Sequence, residues 1–232
     1  MTRIFLALVL IVGVLVLWSE RASILASVGG LVVEEAPLAR ADALVVLVNT
    51  PRVAAEAAAI VKAGYAPRVL LFTSSGGPDQ DVLAKLGLDV ARPHDVTVRV
   101  LRASGVAADR IAVVPRVPDG TNEATRDIIR YARGHGITRV IVLTFRSHTR
   151  RTARLLRRGL TAPGGVIVRA APLDKFHPGS WWQERGSASE LAMEGLRWLN
   201  SFVLGDLWAP RDAGDASLVV LYSKTSTLPA NP

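Results

Sequence analysis

The stretch Ala43-Leu-Val-Val-Leu-Val48 is a continuous apolar run, half of it valine, near the start of the globular part of the chain. Such a run is typical of a strand that is buried on both faces of a parallel sheet. Thr50 can cap a following helix and Pro51 suits the first helical position, so we expect a helix through Ala54–Lys62. The pattern therefore predicts a strand that leads directly into a helix, which is the first half of a βαβ unit.

The alternation of strand and helix continues along the chain. Further strands are predicted at Arg68–Thr73, Ile111–Val114, Arg139–Thr144 and Val166–Ala170. Further helices are predicted at His94–Ser104, Asn122–Arg133 and Ser147–Arg158. A last helix is expected to begin at the capping box Ser187-x-x-Glu190, with Leu191 and Leu199 facing the core. This order predicts an α/β fold, a Rossmann-like three-layer sandwich with a mostly parallel sheet. The two most continuously apolar strands, Ala43–Val48 and Arg139–Thr144, are expected near its centre.

An uncharged segment precedes this domain. Ile4–Ser19 holds only uncharged residues, mostly Leu, Val and Ile, and as a helix it would extend over roughly 24 Å, close to the ~30 Å hydrocarbon core of a bilayer. An uncleaved signal anchor, a cleaved signal peptide and a buried helix of a soluble protein all fit the run, and the lack of a small-x-small cleavage site favours the anchor. Arg3 then keeps the N-terminus in the cytoplasm. The expected localisation is a single pass through the cytoplasmic (inner) membrane, with the C-terminal domain outside the cytoplasm.

These patterns divide the chain into four parts. Residues 1–21 are expected to form the transmembrane anchor and residues 22–40 a linker. Residues 41–205 are expected to form the α/β domain, and residues 206–232 a tail in which Leu218–Tyr222 can add an edge strand.

Composition narrows the class of protein. The chain has no cysteine, which excludes a disulfide scaffold, a thiolate zinc finger and a cysteine nucleophile. Lys and Arg number 28 against 20 Asp and Glu, a net charge of +8, which favours acidic partners such as phosphates and anionic lipids. The cations are nearly all Arg, as in proteins of GC-rich genomes, and no nucleic-acid-binding motif accompanies them. We therefore expect no nucleic-acid partner, and the four scattered histidines indicate no metal site.

The loops after the strands contain the candidate site residues, because ligands of such sheets bind beyond the carboxyl ends of the strands. If Ser147 caps the helix that follows it, His148 and Arg151 lie on one side of the first helical turn, where an anion is favoured, and Ser147 and Arg151 are then candidates for binding it. His148 can exchange a proton near neutral pH. The alternative interpretation is a capping Ser, an exposed His and a solvated Arg-rich helix.

A second loop begins a helix at Gly120-Thr-Asn-Glu-Ala124. Thr121 and Asn122 could hydrogen-bond a ligand, and Glu123 could act as a base, although the segment taken alone favours the alternative, a helix start with an acid that complements the dipole. Arg52 could hold a phosphate after the first strand. The turn Val48-Asn-Thr-Pro-Arg52 contains no glycine, which speaks against a dinucleotide fingerprint and a P-loop, so no cofactor is evident.

Four pieces of the chain together resemble the ElyC/SanA/YdcF family of bacterial envelope proteins over roughly Ala41–Leu204. These pieces are the apolar strand after Asp42, the segment Ala-Gly-Tyr-Ala-Pro-Arg68, the segment Thr-Asn-Glu-Ala124 and the segment Ser-His-Thr-Arg-Arg151. The resemblance implies a membrane-anchored Rossmann-like domain outside the cytoplasm. It also implies a role in envelope integrity, in peptidoglycan or in polyprenyl-carrier homeostasis and, in one branch, binding of S-adenosylmethionine.

The polar positions that the family keeps map to Arg52, Glu56, Thr121, Asn122, Glu123, His148 and Arg151. Three functions are therefore weighed. The first is an envelope enzyme acting on a phosphorylated, lipid-linked or small-molecule cell-wall precursor, with Arg52 and Arg151 holding phosphate and His148 as the acid/base. The second is a non-catalytic envelope-integrity factor that binds a lipid or protein partner. The third, S-adenosylmethionine binding, is the least supported because the glycines of the first turn are missing.

Overall fold

A computed structural model describes residues 2–74, 78–88, 90–118, 120–172, 174–203 and 220–221 of the 232-residue chain. It contains a parallel sheet of five strands in the order β5-β4-β1-β2-β3. The strands are β1 (Ala43–Val46), β2 (Val69–Phe72), β3 (Ile111–Val114), β4 (Val140–Thr144) and β5 (Val166–Ala170). A two-residue strand, β6 (Val220–Leu221), pairs antiparallel with β3 at the edge. The α/β fold and the mostly parallel sheet are therefore confirmed.

Helices cover both faces of the sheet. The helices of the described residues are α1 (Thr2–Gly30), α2 (Pro51–Lys62), α3 (Pro78–Lys85), α4 (Pro93–Ala103), α5 (Gly120–Gly134), α6 (Thr149–Arg157) and α7 (Arg185–Val203), and four of them, α2, α4, α5 and α6, pack on the sheet. The apolar faces of α2 and α4 form one core with alternate residues of the strands, and those of α5 and α6 form a second core with the other alternate set. This alternation follows from the two-residue period of a strand and produces three layers.

The two most apolar strands lie inside the sheet, as their composition predicts. β1 pairs with β2 on one side and with β4 on the other, and β4 also pairs with β5. Every residue of β1 and β4 is buried. Their continuous apolar sequence is explained by helices on both faces, which leave no face to solvent.

Two expectations about α7 are wrong. Ser187 and Glu190 do not form a capping box at its start, because α7 already begins at Arg185 and Ser187 lies buried inside it. Leu191 is buried as expected, whereas Leu199 is 58% exposed and does not reach the core. Glu190 instead accepts a tertiary hydrogen bond from Ser147.

The helix α1 runs without interruption to Gly30, past the charged residues Glu20 and Arg21. It is long and apolar enough to cross a membrane, and its most apolar 18-residue window is wholly exposed. The segment after it, expected to be a linker, packs on the domain: Val32 is buried with Phe176 and Leu191. Of the expected tail at residues 206–232, only Val220–Leu221 lies within the described residues.

Candidate functional site

The strand order reverses between β1 and β4, and two cavities open there at the carboxyl ends of the strands. The first, here the His148 cleft, has a volume of about 480 Å³ and is lined by the ends of β1, β2 and β4, by His148 and by Thr121. The second, the Arg52 cleft, has a volume of about 700 Å³ and includes Arg52 and Lys175. Val48, Thr50 and Phe145 line both cavities, so the two are adjacent. This is the position where open α/β sheets bind ligands.

The turn that follows β4 presents His148 to this edge. A short 3₁₀ turn, Arg146–His148, precedes α6, and His148 rather than Ser147 is the residue before the first helical turn. The expected Ser147 cap is therefore wrong. Ser147 is fully buried, and its hydroxyl donates a short hydrogen bond to the Glu190 carboxylate on α7. This bond ties the turn to α7, a contact that local sequence does not encode.

Arg151 does not face an open anion site. Its side chain is 8% exposed, and its guanidinium donates to both carboxylate oxygens of Glu194, at 2.5 Å from Nε and 3.2 Å from Nη2. Nη2 also donates to Thr121 Oγ1 at 3.1 Å, and Nη1 donates to Asn122 Oδ1 at 3.4 Å. The structure therefore brings together Thr121, Asn122 and Arg151, as the sequence predicts, but around a buried carboxylate of the chain itself.

Glu194 is the centre of this cluster and was not anticipated. It is fully buried, and besides Arg151 it has Arg197 Nη1 at 3.5 Å and His148 Nε2 at 3.6 Å. A buried carboxylate is tolerated only when cations and hydrogen bonds compensate its desolvation. A signal was present in the sequence, since Leu191, Glu194 and Trp198 share one face of α7 and a charge on an apolar face is unusual.

His148 is a neutral imidazole near pH 7. Burial lowers the pKa of His148 below its usual 6.5; the carboxylate of Glu194 opposes this shift, whereas Arg151 and Arg197 add to it. Its side chain is 19% exposed where it lines the cleft, and among the described residues its ring nitrogens have no hydrogen-bond partner. A neutral imidazole backed by a buried carboxylate can accept a proton from a ligand, because the carboxylate stabilises the imidazolium that forms.

Glu123 lies apart from this group. It is buried on α5 and forms a short ion pair with Arg116, which also has Asp127 at 3.5 Å. Glu123 lines neither the His148 cleft nor the Arg52 cleft. The structure therefore does not bring the predicted base together with His148.

The Arg52 cleft holds two cations that are available to a ligand. Arg52 and Lys175 are exposed, and neither has an ion pair or hydrogen bond with the described residues. The two carboxylates of the same cleft already accept hydrogen bonds: Asp174 from the backbone of Arg146 at 2.5 Å, and Glu190 from Ser147. The charges of Arg52 and Lys175 therefore favour an anionic ligand, such as a phosphate, in this cleft.

Asn49 is a further site residue that sequence reasoning missed. It follows β1 where a dinucleotide-binding turn would have glycine, and its amide nitrogen donates to the Phe72 carbonyl at 3.1 Å. Asn49 lines the His148 cleft, but its Oδ1 atom is buried and has no hydrogen-bond partner among the described residues. A buried acceptor without a partner is unusual in a folded protein. Glu56, one α2 turn beyond Arg52, lines neither cleft.

Comparison of the chain with protein-family models, with curated proteins and with solved structures finds no match. The site is therefore interpreted from its own geometry. No group of three His, Asp or Glu side chains among the described residues is placed to hold a metal ion. Among the described residues, the groups that face the two clefts and can act on a ligand are His148, which Glu194 backs, and the cations Arg52 and Lys175.

Proposed function

We propose that the protein is an envelope-biogenesis protein, held in the cytoplasmic membrane by α1, whose domain outside the cytoplasm binds a phosphorylated cell-wall precursor. The precursor is a polyprenyl-phosphate-linked compound or another phosphorylated small molecule. The observation that carries this proposal is the pair of cations Arg52 and Lys175, which have no partner among the described residues and lie in a cleft that adjoins His148. A phosphate on these cations would place the attached group beside Phe145, which lines both cavities.

The position of His148 supports an acid/base role in this cleft. The lowered pKa of His148 keeps the imidazole neutral near pH 7. The neutral ring can therefore take a proton from a hydroxyl or a water next to the bound phosphate. Glu194 then faces the resulting imidazolium at 3.6 Å. Arg151 is a positioning residue in this proposal, since it holds Glu194 and not the ligand.

A non-catalytic factor that binds the same ligand class is the second candidate. The observation that favours it is the separation of Glu123 from His148, which leaves the cleft with one acid/base group instead of two. S-adenosylmethionine binding has less support, because the turn Val48–Arg52 provides no glycine backbone for it.

A thermal-shift and native mass spectrometry screen of the full-length protein in detergent tests the proposal. The compounds are a polyprenyl phosphate, a polyprenyl pyrophosphate, nucleotide sugars and S-adenosylmethionine. We expect phosphorylated compounds to stabilise the protein and inorganic phosphate to compete with them. Stabilisation by S-adenosylmethionine alone, or by none of these compounds, would contradict the proposal.

A further inference from the structure

An apolar groove lies between the end of α1 and α7, apart from the two clefts at the sheet edge. Its volume is about 550 Å³, and its walls include Val28 and Leu31 on one side and Leu191, Gly195 and Trp198 on the other. Leu31 is 62% exposed and continues the apolar surface of the groove, and contiguous exposed apolar surface marks interaction sites. The groove therefore presents apolar surface that the described residues leave open.

One cation borders this groove. Arg150, on the first turn of α6, is the only charged residue among those that line it. Its Nε atom is buried without a hydrogen-bond partner, and its guanidinium has no ion pair with the described residues. The nearby Arg146, Arg151 and Arg157 each pair with a carboxylate, so Arg150 differs from its neighbours. A half-buried guanidinium without an anion favours a negatively charged ligand.

The groove is close to the expected membrane surface. Val28 lies nine positions beyond Ser19, the end of the uncharged run, which corresponds to a helical rise of about 13 Å. The polar layer of a bilayer occupies about 5–7 Å on each side, and one leaflet of acyl chains is about 15 Å thick. One chain of a lipid can therefore reach the groove while the other remains in the bilayer.

We propose that this groove binds an anionic phospholipid from the leaflet next to the domain. One acyl chain occupies the groove between α1 and α7, and the phosphate contacts the Arg150 guanidinium. The proposal rests on the membrane anchor of the proposed function, but it assigns a site distinct from the Arg52 and His148 clefts. A two-chain lipid fits better than a single-chain isoprenyl phosphate, because the distance to the bilayer requires a second chain to remain there.

The test uses full-length protein in vesicles that contain phosphatidylglycerol with a diazirine in one acyl chain. After illumination, peptide mass spectrometry locates the lipid adducts. We expect adducts on α1 within Ile4–Ser19, from the bilayer, and also on α7 within Ala188–Trp198, from the groove. The same probe with a phosphatidylcholine head group lacks the net negative charge, so we expect it to label α7 at least about fivefold less strongly.

Matched variants separate the groove from general membrane contact. Gly195→Leu places a side chain in the groove, and we expect it to reduce α7 labelling at least tenfold. Gly186→Leu is the control, since a Cβ at either glycine of α7 meets no described atom within 4 Å. Arg150→Gln is expected to reduce phosphatidylglycerol labelling of α7 to the phosphatidylcholine level, whereas Arg133→Gln, on the exposed end of α5, is expected to leave it unchanged.

The outcomes distinguish the two proposals. Labelling of α1 without labelling of α7, or α7 labelling that Gly195→Leu leaves intact, would overturn the lipid groove alone. Equal labelling of α7 by both head groups would overturn the role of Arg150. Preferential labelling of α7 by a diazirine isoprenyl phosphate in a mixed bilayer would overturn the phospholipid assignment. Absence of adducts on α1 would overturn the membrane anchor, and with it this proposal, while leaving ligand binding in the Arg52 cleft to its own screen.

Discussion

Glu194, fully buried on α7, accepts two hydrogen bonds from the guanidinium of Arg151 on α6, at 2.5 and 3.2 Å. This bidentate pair joins the last helix of the domain to the helix that follows β4. It also places a carboxylate behind His148, at 3.6 Å. The pair is therefore a structural element on which the geometry of the site depends.

Arg151→Ala is expected to destabilise the fold by about 3–5 kcal/mol, because it leaves the Glu194 carboxylate buried without its main partner. Urea denaturation of the full-length protein in detergent, followed by tryptophan fluorescence, measures this change. Arg197→Ala is the matched control: Arg197 is 45% exposed and contacts the same carboxylate at 3.5 Å, so its loss is expected to cost less than about 1 kcal/mol. Equal effects of the two substitutions would contradict this account of the pair.

The pH dependence of stability is expected to include a contribution from His148. Its pKa is lower in the folded protein than in the unfolded chain, because burial disfavours the imidazolium. The unfolded chain therefore binds the proton first as the pH falls. The stability contribution is complete above the usual pKa of 6.5 and is lost as the pH falls through the lower pKa of the folded state.

His148→Gln removes this titration, so the melting temperature of the variant is expected to change less than that of the native protein between about pH 7.5 and about pH 5.5. Differential scanning calorimetry at both pH values measures the difference. Arg133→Gln, on the exposed end of α5, retains His148; it is the control and is expected to keep the native pH dependence. An unchanged pH dependence in His148→Gln would contradict a buried, neutral imidazole.

The sheet could be predicted from sequence because its signal is local. β1 and β4 consist of apolar runs that only a two-sided burial explains, and both lie inside the sheet as expected. The start of α6 could not be predicted in the same way. Ser147 has the residue type and position of an N-cap, but its hydroxyl bonds to Glu190, which is distant in sequence and close only after α7 has packed.

Part of the site could also be predicted from the sequence. The proximity of Thr121, Asn122, His148 and Arg151 follows from the rule that loops at the carboxyl ends of the strands converge. The partner of Arg151 did not follow, since nothing in a Ser-His-Thr-Arg-Arg segment indicates which carboxylate a distant helix provides. Lys175 lies in the loop after β5, and the same rule predicts that this loop also reaches the site.

Arg52→Ala and Lys175→Ala are each expected to weaken binding of a polyprenyl phosphate about tenfold, because a hydrogen bond between charged groups contributes about 1.5–3 kcal/mol. Isothermal titration calorimetry measures the dissociation constant. Since both side chains are exposed and have no partner among the described residues, the melting temperature is expected to remain nearly unchanged. Arg133→Ala provides an exposed cation outside the clefts as a control. Native affinity in both cleft variants would contradict phosphate binding at this position.

The contact between α1 and the domain is expected to depend on Gly29. A Cβ at this position would lie 2.6 Å from the Pro178 carbonyl oxygen and 2.6 Å from Trp181 Cδ1, so Gly29→Ala forces the helix away from the domain. The expected cost is about 1–3 kcal/mol, as for other overpacked sites. Gly30→Ala is a close control, because a Cβ at Gly30 meets no described atom within 4 Å. Limited proteolysis between residues 22 and 40 is expected to be faster in Gly29→Ala and unchanged in Gly30→Ala.

The orientation of α1 in the membrane is expected to place the domain outside the cytoplasm, because the cation Arg3 precedes the uncharged run. Alkaline phosphatase fused after Pro232 should be active, since it folds only outside the cytoplasm, and a cytoplasmic reporter at the same position should be inactive. Mass spectrometry of the mature chain should detect the N-terminal peptide, because an anchor is retained and a signal peptide is removed.

The control variant has three lysines inserted after Arg21. The insertion reverses the charge difference between the two ends of the uncharged run Ile4–Ser19, so it should reduce phosphatase activity. An active cytoplasmic reporter on the native sequence would contradict the orientation, and a mature chain that begins after Arg21 would contradict the anchor.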